Sequence, residues 1–204
     1  MKTKIASLLG CVLLSLTAWP GLQAAETNPP TVVIYDTETG RSAFASTNIV
    51  APQIAVALWN DGTIVWSVSA NKSGPPFKQG KFAREKLAAL LDNLERAGAF
   101  GDKTLGRPRF GPDSSFTTIA INAGQRRLTM RSWHEGFEQR TNLVATANGI
   151  VSLGERKRED VLREQPEDYR QFRQVWSEIR QTVATLIPEN GTPFNGQISI
   201  PTNL

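Results

Sequence analysis

Along the chain, paired strand-like apolar runs occur in two places, and apolar positions recur every three or four residues in two others. Ile54 to Trp59 and Thr63 to Val68 are strand-like runs joined at Asn60-Asp61-Gly62. Asp-Gly between apolar runs predicts a hairpin, because both residues tolerate the positive φ of its turn. With Asp61-Gly62 as a two-residue loop, Trp59 faces Ile64, Leu58 faces Val65 and Ala57 faces Trp66. Ser73-Gly74-Pro75-Pro76 ends this run, and from Phe82 to Ala97 the spacing turns helical. Leu87, Leu90, Leu91 and Leu94 share one face there, and Gly98 stands just past the helix end. A second hairpin is predicted from Phe116 to Trp133, turning around Asn122-Ala123-Gly124-Gln125. Ile119, Ile121, Leu128 and Met130 fall on one face, with Arg127, Thr129, Arg131 and Trp133 on the other. Pro166-Glu167-Asp168 opens a second helix, in which Tyr169, Phe172, Trp176, Ile179, Val183 and Leu186 step by three or four until Pro188 stops it.

The order is therefore hairpin, helix, hairpin, helix. Each hairpin has an apolar face to bury, and each helix has one stripe with which to cover it. An α+β fold follows: a single antiparallel sheet of four or five strands with two helices packed on one face. Within an extended lead-in at 25–49, Val32-Val33-Ile34-Tyr35 reads as a further edge strand. The domain spans 50–188, with a short strand near Ile150 to Leu153. The polar, Gly- and Pro-containing stretch 189–204 reads as a flexible tail.

The run Trp59-Asn60-Asp61-Gly62-Thr63-Ile64-Val65-Trp66, followed by Leu87 to Gly98 and by Pro166 to Tyr169 with Phe172 and Trp176, resembles a type of exported bacterial domain of uncharacterised activity. Those domains also run strand, strand, helix, strand, strand, helix. The resemblance covers roughly residues 50 to 188 and is carried by turn and core residues. It implies the architecture and brings no catalytic set with it.

The N-terminus adds a compartment. Lys2 and Lys4 precede the mostly apolar Ile5 to Ala18, Trp19-Pro20-Gly21 breaks any helix, and Ala24 offers a cleavage point, with Ala25 as a second choice. This predicts a signal peptide over 1–24 and export to the periplasm or the cell exterior. The alternative, a lipoprotein anchored at Cys11, leaves only Ile5 to Gly10 as the hydrophobic region. The apolar stretch is also shorter than the roughly 20 residues that span a bilayer. Losing 1–24 removes Lys2, Lys4 and the single cysteine but no acid, so the formal charge of +4 becomes +2. Thiol chemistry and a redox role leave with Cys11, and so does half of the apparent basic character.

Candidate chemistry is sparse. The chain has no Gly-x-Ser-x-Gly, His-Glu-x-x-His, phosphate-loop or Gly-x-Gly-x-x-Gly motif, and it offers no catalytic set. Its one histidine, His134, lies in Ser132-Trp133-His134-Glu135 at the end of the last predicted strand, where a neighbouring carboxylate could tune it. Arg107, Arg109 and Asp113, in a Gly-rich loop before a strand, could cradle an anion. Trp176 sits on its helix stripe and reads as core. Trp59 and Trp66 point to opposite faces, and Trp133 beside Arg131 could form a binding patch. The sign-balanced run Glu155 to Asp160 and the small net charge argue against nucleic acid.

The binding candidates are thus Arg107, Arg109, Asp113, Trp133 and His134. The expected protein is a monomeric, non-enzymatic binding or interaction module for a protein or small-molecule ligand, with no cofactor, metal site, nucleic acid or membrane span. The sheet face away from the helices is the first surface to consider. Two alternatives remain: a small hydrolase using His134 or carboxylates such as Asp113 and Glu135, and an inhibitor of a secreted enzyme inserting the loop 103–112. A deep pocket holding His134 with a serine or carboxylate in hydrogen-bonding reach would overturn the non-enzymatic reading.

Overall fold

The computed structural model describes residues 28–38, 51–69, 73–101 and 115–200. The predicted signal peptide and the candidates Arg107, Arg109 and Asp113 lie outside the described residues. Within them the fold is α+β. The strands are β1 (Val32–Glu38), β2 (Gln53–Leu58), β3 (Thr63–Ser67), β4 (Phe77–Lys81), β5 (Ser115–Ala123), β6 (Arg126–Ser132), β7 (Leu143–Thr146), β8 (Gly149–Ser152) and β9 (Thr192–Phe194). The helices are α1 (Arg84–Arg96), α2 (His134–Glu138), α3 (Arg158–Arg163) and α4 (Glu167–Leu186). Seven strands form one antiparallel sheet in the order β6-β5-β1-β2-β3-β4-β9, and β7 pairs with β8 in a separate hairpin.

The four-or-five-strand expectation is too small because β4 and β9 carry no apolar alternation. The expected edge strand also moves. β1 lies inside the sheet, between the two hairpins, pairing with β2 on one side and β5 on the other. Its continuous run Val32-Val33-Ile34 explains this, since all three side chains are buried and a doubly covered strand has no polar face. β9 comes from the stretch read as a flexible tail. It pairs with β4, while Ile198 and Ile200 beyond it pack on the sheet.

The first hairpin differs by one residue from its expected register. Leu58 pairs with Ile64, Ala57 with Val65 and Val56 with Trp66. The loop holds three residues: Gly62 donates its N–H to Trp59 O at 3.1 Å, and Trp59 donates to Thr63 O at 2.9 Å. Gly62 takes φ +84°, the left-handed residue that follows the tight turn in three-residue hairpins. Asp61 accepts hydrogen bonds from the Thr63 N–H (2.8 Å), the Thr63 hydroxyl (2.7 Å) and Lys81 Nζ (2.9 Å).

α1 and α4 cover one sheet face. Leu87, Leu90, Leu91 and Leu94 of α1, with Phe172, Val175, Trp176, Ile179, Val183 and Leu186 of α4, pack with Ile34, Leu58, Ile64, Trp66, Ile119 and Met130. α1 ends as its Gly98 predicts. Gly98 has φ +65°, Ala99 donates to Leu94 O and Gly98 to Glu95 O, each at 2.9 Å, the paired bonds of a Schellman cap. On the opposite face Val33, Ile54, Ala57, Trp59, Val65 and Ala120 form a second cluster, against which Phe194, Ile198 and Ile200 pack. The two tryptophans of the first hairpin thus lie on opposite faces.

At the end of the helix-covered face the sheet turns polar. Ser132 and Asp36 lie two residues after Met130 and Ile34, and Thr117 two residues before Ile119, on adjacent antiparallel strands, so the three share their face. Asp36 accepts from the Ser73 hydroxyl at 2.5 Å and the Thr117 hydroxyl at 2.6 Å.

Candidate functional site

β6 delivers Ser132 to the inner face, Trp133 leaves strand geometry, and His134 opens α2. Ser132 Oγ accepts the His134 N–H at 3.2 Å, and the Ser132 hydroxyl and the imidazole Nδ1 are hydrogen-bonded to each other. The ring is 5% exposed and packs edge-on to Trp176 (5.1 Å between centroids) and Phe172 (6.1 Å). Burial, aided by the positive charges of Arg173 and Arg180, lowers its pKa from 6.5 to about 3. At neutral pH the imidazole is uncharged.

The two carboxylates of α2 are committed to α4. Glu135 Oε1 accepts from Trp176 Nε1 and from Arg180 Nε, both at 2.9 Å. Glu138 receives both terminal nitrogens of Arg173, at 2.6 and 2.8 Å, and the Ala145 N–H at 3.3 Å. Arg158 Nη1 lies 3.4 Å from Glu138 and has no hydrogen-bond partner among the described residues. Burial alone would lower the Arg173 pKa; the Glu138 carboxylate outweighs it and raises it.

A cavity of about 560 Å³ lies beside this junction. Ser132, Trp133 and His134 form one side, Tyr169 and Phe172 of α4 another, and the β7–β8 turn with Asn148 closes it. That turn is tethered to α4 and the segment before it: Tyr169 Oη donates to Ala145 O at 2.9 Å, and the Ala147 N–H donates to Gln165 Oε1 at 3.1 Å. Burial raises the Tyr169 pKa, so the phenol stays neutral. Trp133 is half-buried and stacks edge-on with Phe137 at 4.9 Å. His134 also borders a second depression of about 410 Å³, between α2 and the Arg173–Arg180 stretch of α4.

No family model and no curated protein matches this chain. The reading of the site therefore rests on its own chemistry.

Of the sequence candidates, Trp133 and His134 come together in the cavity wall. Glu135 neighbours them in sequence, but its oxygens are used by Trp176 and Arg180. Ser132, Tyr169, Phe172 and Asn148 were not singled out as site residues. The signal for Ser132 was present: two residues from His134 on a strand end, it shares the inner face with the core. Nothing in the sequence pointed to Asn148, which reaches the cavity only because β7 and β8 fold back. Among the described residues no group of three or more His, Cys, Asp or Glu side chains is placed to hold a metal ion, and no helix is long and apolar enough to cross a membrane.

The Ser132–His134 pair has the composition of a nucleophile and its base, and it lies in a cavity, the arrangement named above as the one that would overturn the non-enzymatic reading. Its electrostatics oppose that use. A general base works best with a pKa near the working pH, and an imidazole held at about 3 is a poor proton acceptor at pH 7. In a serine triad a carboxylate orients the histidine and stabilises its charged form. Here the carboxylates of α2, Glu135 and Glu138, bind Arg180 and Arg173, and those arginines destabilise an imidazolium. As a hydrogen-bonding pair for a neutral or anionic ligand, by contrast, an uncharged imidazole and a hydroxyl are well suited.

Proposed function

We propose that the chain is an exported, non-enzymatic binding module whose ligand occupies the cavity between β6, the β7–β8 turn and α4. The observation that carries this reading is the cavity itself, about 560 Å³ and walled by Trp133, Phe172 and Tyr169, with Ser132, His134 and Asn148 as polar groups. This volume falls in the range of small-molecule sites, and the lining sets aromatic rings beside a comparable share of polar groups. Among the described residues Arg131 is the one charged residue lining it, so the ligand is a small ring-bearing molecule, neutral or anionic, with one or two hydrogen-bonding groups. Nuclear magnetic resonance shift mapping with a panel of aromatic carboxylates, amides and sugars tests it. Shifts gathered on Trp133, His134, Asn148 and Tyr169 are expected, and a panel that moves none of them overturns the reading.

The Ser132–His134 contact supports a second reading, a hydrolase, and the same protein decides between them. Fluorogenic esters should be hydrolysed no faster by wild type than by Ser132→Ala; hydrolysis that disappears in Ser132→Ala would make the chain an enzyme. Export is tested by expressing the full chain and sequencing the N-terminus recovered from the periplasm, expected to begin at Ala25.

A further inference from the structure

β6 ends the seven-stranded sheet, and no other described strand pairs with it. The direction of its main-chain groups follows from the register. Asn122 donates its N–H to Thr31 O at 2.8 Å, on the β1 side. Backbone groups alternate along a strand, so Ile121 and Ile119 turn theirs toward β6, opposite Leu128 and Met130. The tight turn between Ala123 and Arg126 requires the same parity, since the residues closing a two-residue loop face each other. The N–H and C=O groups of Arg127, Thr129 and Arg131 therefore point away from β5, to the edge. Arg127 and Arg131 are exposed, four residues apart on one face, and β6 contains no acid. The strand then runs into the cavity wall at Arg131, Ser132 and Trp133.

We propose that β6 is a docking edge for an extended acidic peptide, which adds as an eighth strand to the main sheet. This edge does not rest on the cavity reading above. Strand addition supplies affinity through main-chain hydrogen bonds, and alternate side chains supply specificity. Acids four residues apart on an antiparallel partner stand opposite Arg127 and Arg131; the Arg131 guanidinium lies over the Phe116 ring at 4.2 Å and 3.5 Å from Thr37 Oγ1. A second copy of the chain is the wrong occupant. Antiparallel self-pairing centred on Thr129 sets Arg127 opposite Arg131 of the second copy, twice, and like charges directly opposite are destabilising.

The probe is a fluorescein-labelled Phe-Ser-Glu-Val-Thr-Val-Glu-Ser peptide, titrated with the full chain and followed by polarisation. Saturable binding is expected, weakened at least about tenfold when the central threonine is N-methylated and unchanged when the neighbouring valine is. Thr129→Pro removes the outward N–H, a change that an edge strand accommodates, and is expected to weaken binding by about the same factor while the urea midpoint holds. Arg127→Glu with Arg131→Glu is expected to transfer preference to the peptide with lysine in place of glutamate. Equal binding of the two N-methylated peptides, or no saturation up to about 1 mM, overturns the proposal. A concentration-dependent dimer abolished by Thr129→Pro overturns it as well, by assigning the edge to a second copy. Small-molecule shifts at Trp133 and His134 that persist in Thr129→Pro keep the cavity reading whatever the edge does.

Discussion

His134 has a chemistry that depends on its surroundings more than on its type. Unfolded, it titrates near 6.5; folded, burial and the charges of Arg173 and Arg180 lower it to about 3. Between those values the unfolded chain binds a proton that the folded chain does not, so stability falls as pH falls through that window. The expected loss is about 1.4 kcal/mol per pH unit below 6.5, or about 2 kcal/mol by pH 5. Urea midpoints from pH 7 to pH 5 should show this slope in wild type and lose most of it in His134→Gln. An equal slope in both would mean that the imidazole is not desolvated. Glu138 supports a second expectation. It neutralises Arg173 and lies beside Arg158 in a half-buried setting, and cutting it to Gln leaves two guanidinium groups without a counter-charge. Removing one partner of a buried pair costs about 3–5 kcal/mol, so Glu138→Gln should lower stability far more than the exposed Glu164→Gln. This part of the site was only half legible in the sequence. Trp133 and His134 stood out at a strand end. The arginine that holds Glu138 lies 35 residues further on, and only the packing of α2 on α4 brings them together.

At the scale of elements, what the sequence showed and what it hid both follow from side-chain pattern. The two long helices announced themselves because their apolar stripes are the only way to cover a sheet face, and Val175 alone had to be added to the buried side of α4. β4, reading Phe-Lys-Gln-Gly-Lys, has no alternation to find. It forms because β3 leaves an unpaired row of backbone groups beside it. β2 contains an irregularity: Ile34 pairs with Val56 but Tyr35 with Ile54, leaving Ala55 as an extra residue. Such a bulge reverses the alternation, so Val56 packs toward the helices and Ile54 toward the other face. A strict period of two cannot show that. The one-residue difference in the first hairpin has the same root, because Asp-Gly suits both a two- and a three-residue loop and only the strand pairing chooses. Gly62 tests the outcome. At φ +84°, with Phe82 O 2.9 Å from where a Cβ would stand, it has neither the conformation nor the room for a side chain. Gly62→Ala should cost about 1–2 kcal/mol, read as a lower urea midpoint at unchanged slope. Gly136, with open space around it, should tolerate alanine with much less effect.

For the molecule as a whole, the faces of the sheet are not equivalent, and this decides where binding can occur. The face away from the helices looked available from sequence, because only two amphipathic helices could be seen and both were needed on one side. In the structure that face carries Val33, Ile54, Ala57, Trp59, Val65 and Ala120 as a buried cluster, and the C-terminal stretch lies against it through Phe194, Ile198 and Ile200. Phe194 also pairs with Phe77 at the sheet edge. The pattern in 189–204 is too short and too rich in polar residues to read as structure; Phe194, Ile198 and Ile200 gain meaning only against a surface that other strands assemble. If the stretch were a loose appendage, a chain ending at Glu189 would match the full one. If it covers the sheet, truncation exposes apolar area worth about 2 kcal/mol or more. The truncated chain should then unfold at a lower temperature and bind a hydrophobic dye such as ANS more strongly. Ile198→Asp with Ile200→Asp should reproduce both effects at full length, since the strand pairing of β9 is kept while its apolar cover is lost. Unchanged melting and dye binding in both variants would return the outer face to the list of candidate binding surfaces, whereas the expected result makes it part of the buried core.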